Sequence, residues 1–536
     1  MNRTVLAALG AAAVMAAPAA AQTQPAAPAT PPPLPQWTSN DRVLQAIWNE
    51  GMNNSQLQAL GQPFMDSIGP RLTATPEMEA AQRWAVAQYQ QWGIPARAER
   101  YGTWRGWKRG YTHVDLLTPR VRSLEGQMLA WSPGTQAPVT GGVVMLPELA
   151  DSAAFGAWLP SVRGKFVMIS FPQPTCRPDE NWQRWAVPAD FERMRIERQA
   201  AQAAWNSRLT RAGVSSRDLP VRLEQAGAAG VVTNLWSQGW GVDKIFNART
   251  RQVPTIDLSC EDYGLVARLA MNGDAPTLRL DARAEMLGDE VPVSNVLAEV
   301  RGRRRPNEYI MLSAHFDSWD GGTGATDNAT GTLVMMEAMR ILRKVYPQPN
   351  RTILSGHWSG EEQGLVGSRA FAADHPEVVR GLHVLFNQDN GTGRVRNIAM
   401  QGFTETAPAF RRWLAAMPGF VTDSVVVDDP GMPGSGGTDN ASFVCYGAPA
   451  FVLSSTSWDY GTYTWHTNRD TYDKIAWDDV RRNALMVAMF VYLADQEQNP
   501  LPRTQRTEFP VNQQTGQPGA WPTCQTPPRS ISQWTR

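Results

Sequence analysis

The sequence predicts an α/β fold: a mostly parallel mixed sheet between two layers of helices, a three-layer αβα sandwich, with a second unit inserted into it. Three observations carry this expectation. From residue 293 onward, short apolar runs bounded by turns alternate with amphipathic stretches, the pattern of a parallel sheet covered on both faces. Tyr309–Gly331 (YIMLSAHFDSWDGGTGATDNATG) reads as one strand, a glycine-rich loop and a helix start. The 536 residues exceed what one small core holds, and the character of the chain changes between 125 and 290.

Residues 1–21 read as a secretory signal: Arg3, an apolar run from Val5 to Ala17, and small residues ending at Ala21. Residues 22–36 form a Pro/Ala-rich leader. The first part of the main unit spans 37–124. Helical spacing recurs over 41–49, 55–68 and 75–93, and 94–118 alternates as strands do. The insert, 125–290, carries short strands at 139–146 and 164–171, a polar helical stretch over 179–212, and a helix running into a strand over 223–232. The main unit resumes over 291–498, and 499–536 is a Pro/Gln-rich tail without periodicity.

Fifty basic and fifty acidic residues cancel, which argues against nucleic acid or an anionic membrane as partner. No segment after the signal is apolar for about 20 residues, so no membrane association is expected once it is removed. The expected location is the periplasm or outside the cell. The four cysteines are not spaced as CxxC, and in an oxidising compartment they suggest disulfides. Four cysteines allow three pairings; keeping each pair within one region favours Cys176–Cys260 and Cys445–Cys524.

The chemistry concentrates at predicted strand ends, where open α/β sheets bind ligands. His315 ends one strand, and Asp317 and Asp327 follow it. Glu361 and Glu362 follow a second strand, and Asp389 a third. His466 lies in a later polar loop before Asp470. Zinc takes imidazole nitrogen and carboxylate oxygen, and one carboxylate can bridge two ions. The expected assignment has Asp327 bridging two Zn2+, with His315 and Asp389 completing one site and Glu362 and His466 the other. Glu361 stays unligated and acts as general base for a metal-bridging hydroxide, passing the proton to the leaving amine. Asp317 is the expected outer partner of His315, and Asp470 that of His466. The other four histidines, His113, His357, His375 and His383, lack clustered carboxylates in sequence and are expected to be hydrogen-bonded surface or core residues.

At these residues the chain resembles the M28 family of dinuclear zinc peptidases. The motifs are HFDSW, GATDNATG, SGEEQGLVGS, FNQDNGTG and WHTNRDTYD, in the family's order over about 291–495. The insert resembles a protease-associated domain at EQAGAAGVV and VPTIDL. The resemblance implies a zinc-exopeptidase fold, a peptide substrate and hydrolysis at a chain end, with an aminopeptidase ahead of a carboxypeptidase or dipeptidase. The family's metal and base positions fall on the six residues already assigned. Where glutamate carboxypeptidases have an oxyanion-steadying tyrosine, this chain has Trp465, which leaves Tyr463 or Tyr460 as candidates. Asp439, in GSGGTDNASF, could read a substrate amino group or brace its loop. A receptor-like relative would show broken metal motifs, and here the set is intact. A deacylase or cyclotransferase of small amides is a further alternative.

Overall fold

Strand Arg305–His315 is buried on both faces for its last six residues and runs parallel to Arg351–Trp358 on one side and Leu382–Asn387 on the other. Such strands need helices on both faces. On one face, Thr330–Val345 packs against Trp477–Gln496 and Arg42–Asn53, around Leu333, Met336, Leu485 and Phe490. On the other, Val366–Asp374 and Pro376–Gly381 cover Met311, Leu354 and Leu385. This is the three-layer arrangement that the sequence predicts. The computed structural model describes residues 34–423, 425–511, 513 and 516–534. The expected secretory signal, 1–21, lies outside the described residues.

Ala450–Ser455 extends the sheet in parallel beyond Leu382–Asn387, and Val395–Ala399 and Val426–Asp428 follow it. At the other end two long strands, Ala96–Thr118 and Thr277–Val300, run antiparallel from Ala96 opposite Ala298 to Thr118 opposite Thr277. Thr277–Val300 pairs with Arg351–Trp358 near its C-terminal end and with Val139–Met145 near its start. It thereby joins the His315 region to a second parallel set: Val139–Met145, Phe166–Met168, Gly230–Thr233 and Thr255–Leu258. That set has its own cores, one around Phe166, Ile256 and Val266 and one around Phe155, Trp205 and Leu223.

The helix expected over 55–68 divides at Pro63, whose ring supplies no N–H, into Leu57–Gln62 and a wider turn Pro63–Ile68. The polar stretch 179–212 is two helices, Asp179–Trp185 and Pro188–Ala212, with Pro188 opening the second. The tail is pinned although it lacks periodicity. Trp521 Nε1 donates to the Val444 carbonyl at 3.0 Å, and Arg529 forms a bidentate pair with Asp374 at 2.7 and 2.9 Å. Disulfides join Cys176 to Cys260 and Cys445 to Cys524, the expected pairings; the second ties the tail to the main unit. No helix among the described residues is long and apolar enough to cross a membrane.

Candidate metal centre

Three parallel strands end side by side at His315, Trp358 and Asn387, so the loops after them meet at one edge. The loop after His315 turns tightly enough to need glycine. At Gly324, φ is +58° and a Cβ would sit 2.2 Å from the Ser318 side chain. Asp317 joins this loop to the next: its two carboxylate oxygens accept from the backbone N–H groups of Glu361 and Glu362 at 3.1 and 3.2 Å. The neighbouring glutamates are thus fixed from their backbones and their side chains remain available.

The cluster is built from two histidine–carboxylate pairs with Asp327 between them. His315 Nε2 lies 3.0 Å from Asp389 Oδ1 and 3.3 Å from Asp327 Oδ1. His466 Nε2 lies 2.8 Å from Glu362 Oε2 and 3.3 Å from Asp327 Oδ2. The two oxygens of Asp327 therefore face different halves of the cluster. His315, Asp327 and Glu362 offer donor atoms that all lie within 4.8 Å of one another.

Charge is not balanced here. Burial pushes Glu361 and Glu362 well above the usual carboxylate range, and Asp389 adds to both, as does Asp327 to Glu362. Burial opposes a charged His315, but Asp389 and Glu361 raise it well above its ordinary value. Burial lowers His466 to about 4. Asp327 Oδ2 and Glu362 Oε1 are buried with no hydrogen-bond donor among the described residues. Buried carboxylate oxygens without donors, turned toward imidazole nitrogens, are what a zinc site presents. The residues present fit a metal.

The outer partners differ in detail from the sequence expectation. His315 Nδ1 meets the backbone carbonyl of Asp317 at 3.0 Å, whereas the Asp317 carboxylate is 3.7 Å away. Asp470 does not hold His466. Its oxygens accept from the backbone N–H groups of Thr326 and Asp327 at 2.8 and 3.0 Å, so it fixes the turn that presents Asp327. The reason is geometric: His466 has φ of +61°, and its Nδ1 finds no partner among the described residues.

Tyr463 donates to Glu180 at 3.3 Å, whereas Tyr460 is the tyrosine whose hydroxyl lies in the field of Asp327, Asp389 and Glu362. Asp439 is fully buried; burial raises its carboxyl to about 7. Arg469 is occupied by Glu125 at 2.5 Å and by the Gly241 carbonyl at 3.0 Å. His357 and His383 are core residues bonded to Tyr89 and to backbone. His113 lies near Asp115, and His375 bonds Glu99 and Glu377.

Sequence reasoning missed three contributors. Arg71, between the helical stretches 55–68 and 75–93, is completely buried and donates to the carbonyls of Phe316, Thr323 and Gly324 at 2.8, 2.8 and 2.9 Å, tying down the His315–Asp327 loop. Ile245 N donates to the His466 carbonyl at 2.8 Å, and Lys244 Nζ sits 4.1 Å over the Trp465 ring, which stacks on His466. Trp104, Trp131, Phe246 and Trp319 wall a cavity of about 260 Å3 that opens on Glu362 and His466. These aromatics stand far apart in the sequence, among 21 tryptophans spread along the chain, so no local signal marks them.

Residues 295–491 match the model of Peptidase family M28. Carboxypeptidase Q of Rattus norvegicus is 24% identical over 463 residues, 86% of this chain and 89% of that protein. Leucine aminopeptidase 1 of Coccidioides posadasii is 28% identical over 218 residues, 37% of this chain and 55% of that protein. Among solved structures, a peptidase M28 precursor from Shewanella amazonensis has a TM-score of 0.63 at 22% identity, covering 86% of this chain and 97% of that one. A zinc aminopeptidase from Bacillus subtilis has a TM-score of 0.54 at 16% identity, covering 82% and 94%. At these identities the structural likeness speaks for the fold.

Proposed function

We propose that this chain, which belongs to peptidase family M28, is an exopeptidase that removes terminal residues from peptides, an aminopeptidase in the first reading. The observation that carries the reading is Asp327, whose two oxygens face the His315–Asp389 pair and the His466–Glu362 pair separately. In this reading two zinc ions would be held by these five residues, His315 and Asp389 serving one, Glu362 and His466 the other, and Asp327 both. Zinc bound there supplies a Lewis acid for the scissile carbonyl and lowers the pKa of water towards ~7.

Glu361 is left to move the proton. Its backbone N–H is anchored on Asp317, and its side chain is buried beside Asp389 and Asp439. It accepts the proton of the attacking water and returns it to the leaving nitrogen as the C–N bond breaks. Asp317, Asp470 and Arg71 hold the loops. In the same reading Tyr460, whose hydroxyl lies in the field of Asp327, Asp389 and Glu362, donates to the oxyanion. The aromatic cavity excludes water beside Glu362 and His466 and receives a substrate side chain. The insert 125–290 is read as a protease-associated domain that supplies one wall of that cavity through Phe246 and Arg249. The secretory signal 1–21 and a periplasmic or extracellular location belong to the same reading.

A carboxypeptidase or dipeptidase reading is favoured by one specific observation, the likeness to carboxypeptidase Q along 86% of the chain. Three matched peptides separate the readings: both ends free, amino end blocked, carboxyl end blocked. Chelator-sensitive cleavage that tolerates only a blocked carboxyl end establishes the aminopeptidase. Tolerance of only a blocked amino end establishes the carboxypeptidase. Cleavage of none by the zinc-loaded protein removes the peptidase reading.

A further inference from the structure

A second pair of carboxylates lies outside the histidine cluster. Asp257 sits on strand Thr255–Leu258, and Asp243 ends the short strand Val242–Asp243. They are 2% and 4% exposed and line one cavity of about 360 Å3. Leu235 brings them together. Its N–H donates to Asp257 Oδ1 at 2.8 Å, and its carbonyl accepts from the N–H of Lys244, next to Asp243, at 3.0 Å. Thr233 Oγ1 also donates to Asp257 Oδ1, at 2.7 Å.

Those bonds leave the remaining oxygen of Asp257 idle. Asp257 Oδ2 and Asp243 Oδ1 are buried with no hydrogen-bond donor among the described residues. The basic residues of the cavity are turned to other carboxylates: Arg109 gives Nε and Nη2 to Asp320 at 2.7 and 3.0 Å, its Nη1 staying buried without an acceptor among the described residues, and Arg469 pairs with Glu125 at 2.5 Å. Burial raises both carboxyls, and the charges of Asp257 and Glu125 raise Asp243 further. Buried anionic oxygens in this state call for a bound cation or a shared proton. A hard cation takes six to eight oxygens at about 2.3–2.6 Å, several of them water. The cavity is large enough for those waters, and Glu125, Gln127 and Ser259 place more oxygen on its wall.

We propose that Asp243 and Asp257 form the anionic floor of a calcium site at the seam between their strands and the loop that carries His466. The seam gives the ion its effect. The backbone N–H of Asp243 donates to Asn468 Oδ1 at 3.0 Å, and its carbonyl accepts from Asn468 N at 3.0 Å. Two residues on, Ile245 N supports the His466 carbonyl. An ion that fixes Asp243 therefore fixes the backbone behind His466.

The test uses the full-length, zinc-loaded protein and calcium chloride. Isothermal titration should show one calcium per chain, and terbium bound in its place should emit through Trp236, the cross-strand partner of Asp243. Asp257→Asn and Asp243→Asn should each weaken calcium at least tenfold while zinc content stays unchanged. In crystals soaked with calcium the ion should lie between the two carboxylates. A flat wild-type isotherm overturns the proposal and assigns the pair a shared proton. So does calcium binding that both Asn variants retain, or calcium seen only at soaking concentration. If the variants fail to fold, the wild-type isotherm and the ion's position in the crystal decide.

Discussion

Two buried charge clusters in this molecule obey opposite rules. At Arg340 the charges balance: Glu50 binds Arg340 and Lys344 at 2.5 and 2.8 Å, and Glu337 takes two bonds from Arg340 at 2.7 and 3.0 Å. Asn54 and the Gln56 N–H fill further acceptor positions on the same glutamates. At Asp327 four carboxylates (Asp327, Glu361, Glu362 and Asp389) meet two imidazoles, and buried oxygens are left without donors. The first arrangement holds helices together. The second costs stability unless something positive joins it. Balance separates a structural cluster from a functional one, and the number of charged residues does not.

The two central histidines repeat the contrast on neighbouring strands. His315 is raised well above its ordinary value because, against the cost of burial, it faces Asp389 and Glu361. Among the described residues His357 bonds Tyr89 Oη at 2.6 Å and Ser355 Oγ at 3.2 Å, and burial lowers it to about 3.

The largest difference between the two clusters should appear in Glu361→Gln. It is expected to lower kcat by about 10²–10⁴-fold, the usual worth of a general base, while zinc content and melting temperature hold. Unchanged turnover would return Glu361 to the structural class. Arg340→Met should do the reverse. Stranding Glu50 and Glu337 should cost about 3–5 kcal/mol in urea unfolding, with kcat per folded molecule unchanged.

A third prediction concerns pH. The folded-state pKa of His357 lies below its unfolded value, so between about 6.5 and 3 the unfolded chain binds the extra proton. Stability is complete above that window and falls with pH inside it, by at most ~1.4 kcal/mol per unit for this group. His357→Gln should flatten the acid limb of a stability–pH curve by that share. An unaltered slope would show that His357 is not buried neutral.

The strand ends were legible because parallel strands buried on both faces read as apolar runs, and His315, Glu361 and Asp389 each follow one. Much of Thr330–Val345 and Trp477–Gln496 was legible from helical spacing for the same reason. What the sequence hid depends on distant pairing. Ala96–Thr118 and Thr277–Val300 are single long strands only because each lies along the other. Arg71 carries no local signal, since the loop carbonyls it ties down, those of Phe316, Thr323 and Gly324, are more than 240 residues away. Asp470 stands four residues from His466 yet serves Asp327, because the chain reverses through the left-handed turn at His466. Ile245 and Lys244 reach the His466 loop across the seam, and no periodicity marks them.

The central claim is that the unbalanced cluster is a two-metal centre, and its most direct test is zinc counted per chain after dialysis of the folded protein. Two are expected in the wild type, one in His466→Gln, and fewer than one in Asp327→Asn. No zinc in the wild type, or two in both variants, would contradict it.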